Sequence, residues 1–276
     1  LVGVNHNAHD YLADLYDKGV RYFVVSDNVT LPNDVVLFQV TNSLDALQDF
    51  VAYYRTFYHF PVIGITGSNG KTIVKEWLNQ LLGPFYNIIK NPKSYNSQVG
   101  VPLSVVAINE EHNLGIFEAG ISRPNEMIKL QNIIQPTIGV LTNIGPAHNE
   151  GFSSKEEKLQ EKLLLFKKAE VLISEKTSLI EQYKPKDVVW FNWSFNGDSN
   201  VVFSKNNDEL NVFFGDNTFK VTLPFTDLAS VENIATCITT MLYLKIETSY
   251  IQIAITNLHA VQMRLQVKKG ANDCLI

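Results

Sequence analysis

The chain has 276 residues, 45% hydrophobic and 18% charged, enough for one large domain or two smaller ones around a sizeable core. A formal net charge of −5 argues against a nucleic-acid or anionic-membrane surface, so a polyanionic ligand must meet positive groups placed locally. Two cysteines, Cys237 and Cys274, make neither a disulfide framework nor a zinc site, which fits a reducing, cytoplasmic setting. No apolar run approaches the roughly 18 residues of a membrane span.

Residues 1 to about 60 alternate helix and strand. Helical spacing (Tyr11, Leu12, Leu15) predicts a helix over 8–18, stopped by Gly19. Tyr22–Val25 and Val35–Val40 read as strands, and Ser43 is expected to cap a helix with Leu44, Leu47, Phe50, Val51 and Tyr54 on its apolar side. Both ends of the chain, Leu1 to His6 and Cys274 to Ile276, read as interior segments, so a longer parent protein is expected.

The stretch Pro61 to Thr72 changes the reading from fold to chemistry. Val62, Ile63 and Ile65 predict a buried strand, and a loop with Gly67 and Gly70 follows. A helix opens at Lys71-Thr72, with Ile73, Val74, Trp77, Leu78, Leu81 and Leu82 on its apolar face. Strand, glycine loop, Lys-Thr and helix is an arrangement that cradles nucleotide phosphates. Its backbone N–H groups (Gly67, Ser68, Asn69, Gly70) face the anion, Lys71 neutralises phosphate and Thr72 can ligand Mg²⁺. The usual spacing would place glycine at 65, where this chain has Ile65.

Alternation then continues: strands near 86–89, 114–118, 137–141 and 171–174, with helices from Pro124 and from Ser154. This predicts a mostly parallel sheet with helices on both faces and ligands beyond the carboxyl ends of its strands. Glu118 and the loop Asn143 to His148 fall at that edge. After Asp187, four short runs (188–191, 201–204, 210–214 and 218–223) read as added antiparallel strands. Helices near 229–244 and 249–258 follow. Taken singly, several polar residues are mute. Lys158 and Lys162 read as a solvated helix face, with Lys162 beside the buried stripe Leu159, Leu163 and Phe166. The segment Ser94 to Pro102 reads as a polar loop, and Asn233 and Arg264 carry no signal alone.

Together these segments are specific. Thr66-Gly-Ser-Asn-Gly-Lys-Thr72 with Val74-Lys-Glu76 resembles the ATP loop of the Mur ligase family. The family's further segments follow in order: Tyr95 to Pro102, Glu118-Ala-Gly with Arg123-Pro124, Asn143 to Phe152, and Met263-Arg-Leu265. Ala147-His148 with Glu150-Gly-Phe152 is most similar to the MurF type. That type adds D-alanyl-D-alanine to UDP-MurNAc-tripeptide in peptidoglycan precursor synthesis. The resemblance implies an α/β fold with a Mur-type central domain. Residues 1–59 would form part of an N-terminal UDP-substrate domain, 60–265 the ATP-binding domain, and 266–276 the start of a linker.

It also implies roles. Lys71 would contact the β/γ phosphates, and Thr72, Glu118 and His148 would hold Mg²⁺, two ions in all. Asn96 would stand near the transferred phosphoryl group, Asn233 near adenine and Arg264 near the nucleotide. Lys162, fourteen residues after His148, matches the family's carbamylated lysine. Two positions depart from the family pattern: Ile73 replaces a frequent second Thr, and Ala229-Ser230 replaces a frequent His-Asn. The resemblance also admits fusion to an alanine racemase. The expected activity is ATP-dependent amide ligation through an acyl phosphate. The alternatives are a catalytically silent nucleotide-binding module, a folylpolyglutamate-type ligase and a P-loop kinase.

Overall fold

A computed structural model describes residues 1–3, 6–145, 151–195 and 197–261. The first segment pairs β1 (Val2–Gly3) with β2 (His6–Asn7), followed by a 3-10 turn (Ala8–Tyr11) and α1 (Leu12–Asp17). One helix was expected over 8–18; the backbone divides it at Tyr11, and none of its side chains is buried. Strands β3 (Tyr22–Val25) and β4 (Val36–Gln39) form a separate parallel pair. Helix α2 (Ser43–Arg55) is capped by Asn42 rather than Ser43, its side-chain oxygen accepting from the N–H groups of Leu44 and Asp45.

The remaining strands share one nine-stranded sheet: β5 (Val62–Thr66), β6 (Ile88–Lys90), β7 (Leu114–Glu118), β8 (Ile138–Leu141), β9 (Val171–Glu175), β10 (Val189–Ser194), β11 (Val201–Asn206), β12 (Glu209–Phe214) and β13 (Asn217–Thr222). Its order is β13-β12-β11-β10-β9-β8-β5-β7-β6. The run from β6 to β11 is parallel, and only β11, β12 and β13 pair antiparallel. The 188–191 run was expected to be antiparallel. It instead continues the parallel sheet as β10, alongside β9 from Val189↔Val171 to Trp193↔Glu175. A short apolar run has the same composition in either pairing. Strand β11 overlaps β10 by two residue pairs only, Trp193↔Val201 and Ser194↔Val202, so the antiparallel ribbon extends the sheet past the carboxyl end of β10.

Helices α3 (Lys71–Leu82), α8 (Leu228–Tyr243) and α9 (Thr248–Thr256) cover one face of the sheet. Helices α4 (Gly100–Val105), α5 (Met127–Ile134) and α6 (Lys155–Leu163) cover the other, with a 3-10 turn (Leu164–Phe166) after α6; α7 (Ser178–Tyr183) follows β9. The period-2 geometry of a strand explains the division. On β5, Ile63 and Ile65 enter the first core while Val62 enters the second. Helix α2 also joins the second layer, through buried Val51 and through Gln48, whose amide donates to Gln98 O at 3.0 Å. Three local expectations shift. Helix α4 begins inside the segment expected to be a polar loop. Helix α5 starts at Met127 rather than Pro124, because the Glu126 carboxylate accepts from the N–H groups of Ser122 and Arg123 and holds 122–126 as a turn. Helix α7 was not anticipated.

Glycines govern how closely the second layer approaches. Gly64 on β5 and Gly139 on β8 are register partners, and together they leave a bare patch on the sheet. A Cβ at Gly139 would lie 2.4 Å from Phe166 Cδ1, and one at Gly64 would lie 2.8 Å from Pro136 Cβ. The fully buried Phe166 ring lies against Gly139, and Pro136 with Leu165 lies against Gly64. A buried Phe truncated to Ala costs about 3–5 kcal/mol, so this contact is a principal anchor of the 3-10 turn following α6.

Candidate functional site

At the carboxyl edge of β5 the chain turns through Gly67 (φ +148°) and Gly70 (φ +80°), conformations that L side chains rarely adopt. Space forbids side chains there as well. A Cβ at Gly67 would fall 2.0 Å from Thr142 Oγ1, and one at Gly70 would fall 2.3 Å from Asn233 Oδ1. The loop is clamped by the segment leaving β8. Ser68 N–H donates to Asn143 O at 2.8 Å, Asn69 N–H donates to Asn143 Oδ1 at 3.0 Å, and Thr142 Oγ1 donates to Asn69 O at 2.5 Å. Gly145 N–H closes the ring on Ser68 Oγ at 3.0 Å. Helix α3 starts directly from Gly70 with no side-chain cap, so its first N–H groups are left for a ligand.

Two lysines converge on this loop. Lys71 Nζ donates to Gly67 O at 2.8 Å and to Ser68 O at 3.1 Å, and Lys162 Nζ reaches the same Gly67 O at 3.2 Å. Lys162 is 1% exposed and Lys158 is 2% exposed, so the solvated face expected for this pair is instead buried. The cause is the fold: α6 lies against the sheet edge with Leu159 and Leu163 in the core, and both lysines sit one turn apart on the inward side. Thr72 is buried on the first turn of α3, its hydroxyl 3.4 Å from Ser94 Oγ.

Glu118 ends β7, next to β5, and is fully buried. Its backbone N–H donates to the Asn91 carboxamide oxygen at 2.6 Å, while Asn91 Nδ2 donates to Tyr95 O at 2.7 Å. Asn96 follows, and its carbonyl accepts Gly120 N–H at 2.8 Å. A Cβ at Gly120 would press on the Asn96 amide at 3.0 Å, so glycine lets that side chain lie at the end of β7. Asn233, on the second turn of α8, is 5% exposed and packs against Gly70; Asp227 caps that helix through Ser230 N–H. The structure therefore gathers Gly67, Ser68, Asn69, Gly70, Lys71, Thr72, Lys162 and Asn233 around one loop, with Glu118 and Asn96 on the neighbouring strand end. His148 and Arg264 lie outside the described residues.

Two site residues carried no assignment from the sequence. Lys75 is wholly buried one turn beyond Lys71, and Asn91 is wholly buried beside it. The available signal was positional: Lys75 falls on the same face of α3 as Lys71 and next to Val74 in the apolar stripe. Burial lowers the Lys75 pKa, and the nearby Glu118 and Glu76 carboxylates oppose that shift.

No group of three or more His, Cys, Asp or Glu side chains occurs among the described residues. A hydroxyl (Thr72) and one carboxylate (Glu118) near a phosphate cradle still suit Mg²⁺, which takes oxygen ligands and completes its shell with water and substrate phosphates. The loop suits phosphates through the uncapped N-terminus of α3 and the Lys71 ammonium beside it, while glycine at 67 and 70 lets it close against Thr142 and Asn233.

Beside the clamp lies a cleft of about 330 Å³ whose lining includes Asn143, Lys155, Glu175 and Glu232. Burial raises the pKa of both glutamates, and Glu232 raises that of Glu175 further. A carboxyl with a raised folded pKa binds more protons folded than unfolded between its two pKa values, so stability falls as pH rises through that window. Glu175→Gln should therefore raise the thermal midpoint at pH 7.5 and bring no gain at pH 4, where both forms are protonated; an equal gain at both pH values would show another cause.

The fold and the site define a nucleotide-binding α/β protein of the phosphate-loop kind. Residues 65–241 match the Mur ligase middle domain, and the chain belongs to the Mur ligase family. Two relatives are UDP-N-acetylmuramoyl-tripeptide–D-alanyl-D-alanine ligases. That of Rickettsia prowazekii is 34% identical over 163 residues, 59% of this chain and 36% of the relative. That of Buchnera aphidicola (strain Bp) is 27% identical over 284 residues, 97% of this chain and 60% of the relative. The chain thus spans well under two thirds of the length of these relatives. The crystal structure of MurF from Thermotoga maritima in complex with ADP shares the fold: TM-score 0.87 at 22% identity, covering 98% of this chain and 65% of that one.

Proposed function

We propose that this protein is an ATP-dependent amide ligase of the MurF type, joining D-alanyl-D-alanine to UDP-MurNAc-tripeptide in peptidoglycan precursor synthesis. The observation that carries the reading is the convergence of Lys71 and Lys162 on Gly67 O, in a loop whose Gly67 and Gly70 positions admit no side chain. Such a pocket suits a phosphoryl group that gains charge in flight, and fixed cations and N–H groups stabilise that charge without reorganising. The named activity of the relatives supports the substrates.

In this reading the terminal carboxylate of the tripeptide attacks the γ-phosphorus of ATP, ADP leaves, and an acyl phosphate forms. The amine of the dipeptide then attacks the acyl carbon, and the tetrahedral adduct collapses to amide and inorganic phosphate. Mg²⁺, expected as two ions, would neutralise charge on the phosphates when bound, and Thr72, Glu118 and His148 would hold it. Lys71 contacts the β/γ phosphates, and Asn96 orients the transferred group. Asn233 would meet the adenine, and Arg264, outside the described residues, would meet the nucleotide. Lys162 Nζ adds CO₂ as the neutral amine, the ammonium first giving up one proton. An N–C bond forms as one C=O π bond of CO₂ opens, a second proton leaves the nitrogen, and an anionic carbamate stands where an ammonium stood. That exchange replaces two converging cations by a cation and an oxygen-rich anion suited to a second Mg²⁺.

Residues 1–59 belong in this reading to the UDP-substrate domain, 60–265 to the ATP domain, and 266–276 to the linker. The setting is cytoplasmic, where ATP is available. A fused alanine racemase would place a source of D-alanine on the same chain. The test is product formation by the whole ligase with ATP, UDP-MurNAc-tripeptide and D-Ala-D-Ala. Amide product and ADP in equal amounts are expected. ATP binding without ADP would identify a silent module instead, and phosphate retained on the acceptor would identify a kinase.

A further inference from the structure

Beneath the phosphate loop lies a polar cluster that the proposed reaction does not use. Lys75 is fully buried on α3, an expensive position for an ammonium unless its hydrogen bonds are met. They are met by carbonyls of one segment: Asn91 O at 2.9 Å, and Lys93 O. Its counter-charge is Glu76, 3.2 Å away, and the Glu76 carboxylate also takes Lys90 at 2.9 Å. The same segment carries the Asn91 carboxamide. That group accepts the Glu118 N–H and donates to Tyr95 O, the residue before Asn96. Lys93 within it has a left-handed backbone (φ 49°), a conformation unfavourable for a side chain and therefore held by its surroundings.

We propose that Lys75 is a positioning residue: its ammonium pins segment 91–96 to α3, fixing the Glu118 carboxylate and the Asn96 amide relative to Lys71 and Thr72. The proposal rests on the ligase reading, in which Glu118 holds Mg²⁺ and Asn96 meets the phosphoryl group. A salt bridge of purely structural value could be placed anywhere along α3. Lys75 instead joins the helix that bears Lys71 to the strand end that bears Glu118, through one buried amide. With Glu76, Lys90 and Glu118 it also makes a group of two positive and two negative charges, so the carboxylate at the end of β7 stays in a balanced environment. Outer partners that orient metal ligands typically change metal affinity or activity by about 10–100-fold when removed.

The test is binding of a fluorescent ATP analogue to the purified protein, titrated with Mg²⁺ and repeated in EDTA, with thermal unfolding followed in parallel. Wild-type protein should bind the analogue more tightly with Mg²⁺; if it does not, the ligase reading fails before the proposal is reached. Lys75→Met is expected to raise the Mg²⁺ concentration for half-maximal binding by about tenfold and to leave binding in EDTA within about twofold. Asn91→Ala keeps the lysine but cuts the link to Glu118 and Tyr95, and is expected to move the same Mg²⁺ midpoint in the same direction. It decides the matter if Lys75→Met does not fold. A lower unfolding temperature with an unmoved Mg²⁺ midpoint, in whichever variant folds, would reduce Lys75 to a structural role and overturn the proposal.

Discussion

Lys71→Ala is expected to lower ATP-dependent phosphate release by the whole ligase by about 10³-fold, the effect of removing a fixed charge from a transferring group. The geometry sets the size. Lys71 Nζ is held at the mouth of the loop by Gly67 O and Ser68 O, so the side chain is already placed before nucleotide arrives. Its rotamer freedom is spent in folding, and the full electrostatic benefit is available in the transition state. Phosphate release measured at saturating ATP reports this directly. Turnover within about tenfold of wild type would remove Lys71 from the reaction, because weaker effects are reached by ordinary changes in loop packing.

Lys162→Ala is expected to abolish turnover, and depletion of bicarbonate from wild-type enzyme is expected to lower it reversibly. The two outcomes belong together. A lysine that acted only as a cation would be indifferent to CO₂, whereas the proposed carbamate needs it. Lys162→Glu, which offers a carboxylate on a shorter arm, should recover part of the loss, while Lys162→Arg should not. Labelled bicarbonate followed by nuclear magnetic resonance should show a carbamate carbon that is absent from Lys162→Ala. Activity unchanged in CO₂-free buffer, with no such signal, would return Lys162 to the role of a simple phosphate-side cation. Its burial at 1% exposure makes the substitution a packing change as well, so unfolding temperature is recorded beside activity.

The strand, loop and helix from Val62 to Leu82 were legible because three independent signals coincide there: an apolar run, glycines and a 3.6-residue stripe. All five β5 residues are buried, as are Val74, Trp77, Leu78, Leu81 and Leu82 on α3. Local signals failed where tertiary context decides. Nothing in Lys158 or Lys162 says that their helix lies against a sheet edge, and charged residues on a helix ordinarily face water. The direction of β10 was hidden for a similar reason, since its pairing with β9 joins residues eighteen apart in sequence. Asn91 and Lys75 were hidden because the hydrogen bonds that give them meaning run between segments remote in sequence. Asn143 was visible only as part of a loop; its grip on Ser68 and Asn69 appears once β8 is laid beside β5.

The bare patch made by Gly64 and Gly139 bears on chemistry carried out at the edge of the sheet. Phe166, seated against Gly139, lies four residues after Lys162 on a continuous run of helical turns. The depth to which that ring sinks therefore sets how far α6 can advance toward the loop, and with it the reach of Lys162 Nζ to Gly67 O. The sheet surface works as a depth stop for a side chain about one helical turn away. One added methyl group at Gly139 would press on Phe166 and is expected to shift Lys162 Nζ away from Gly67 O.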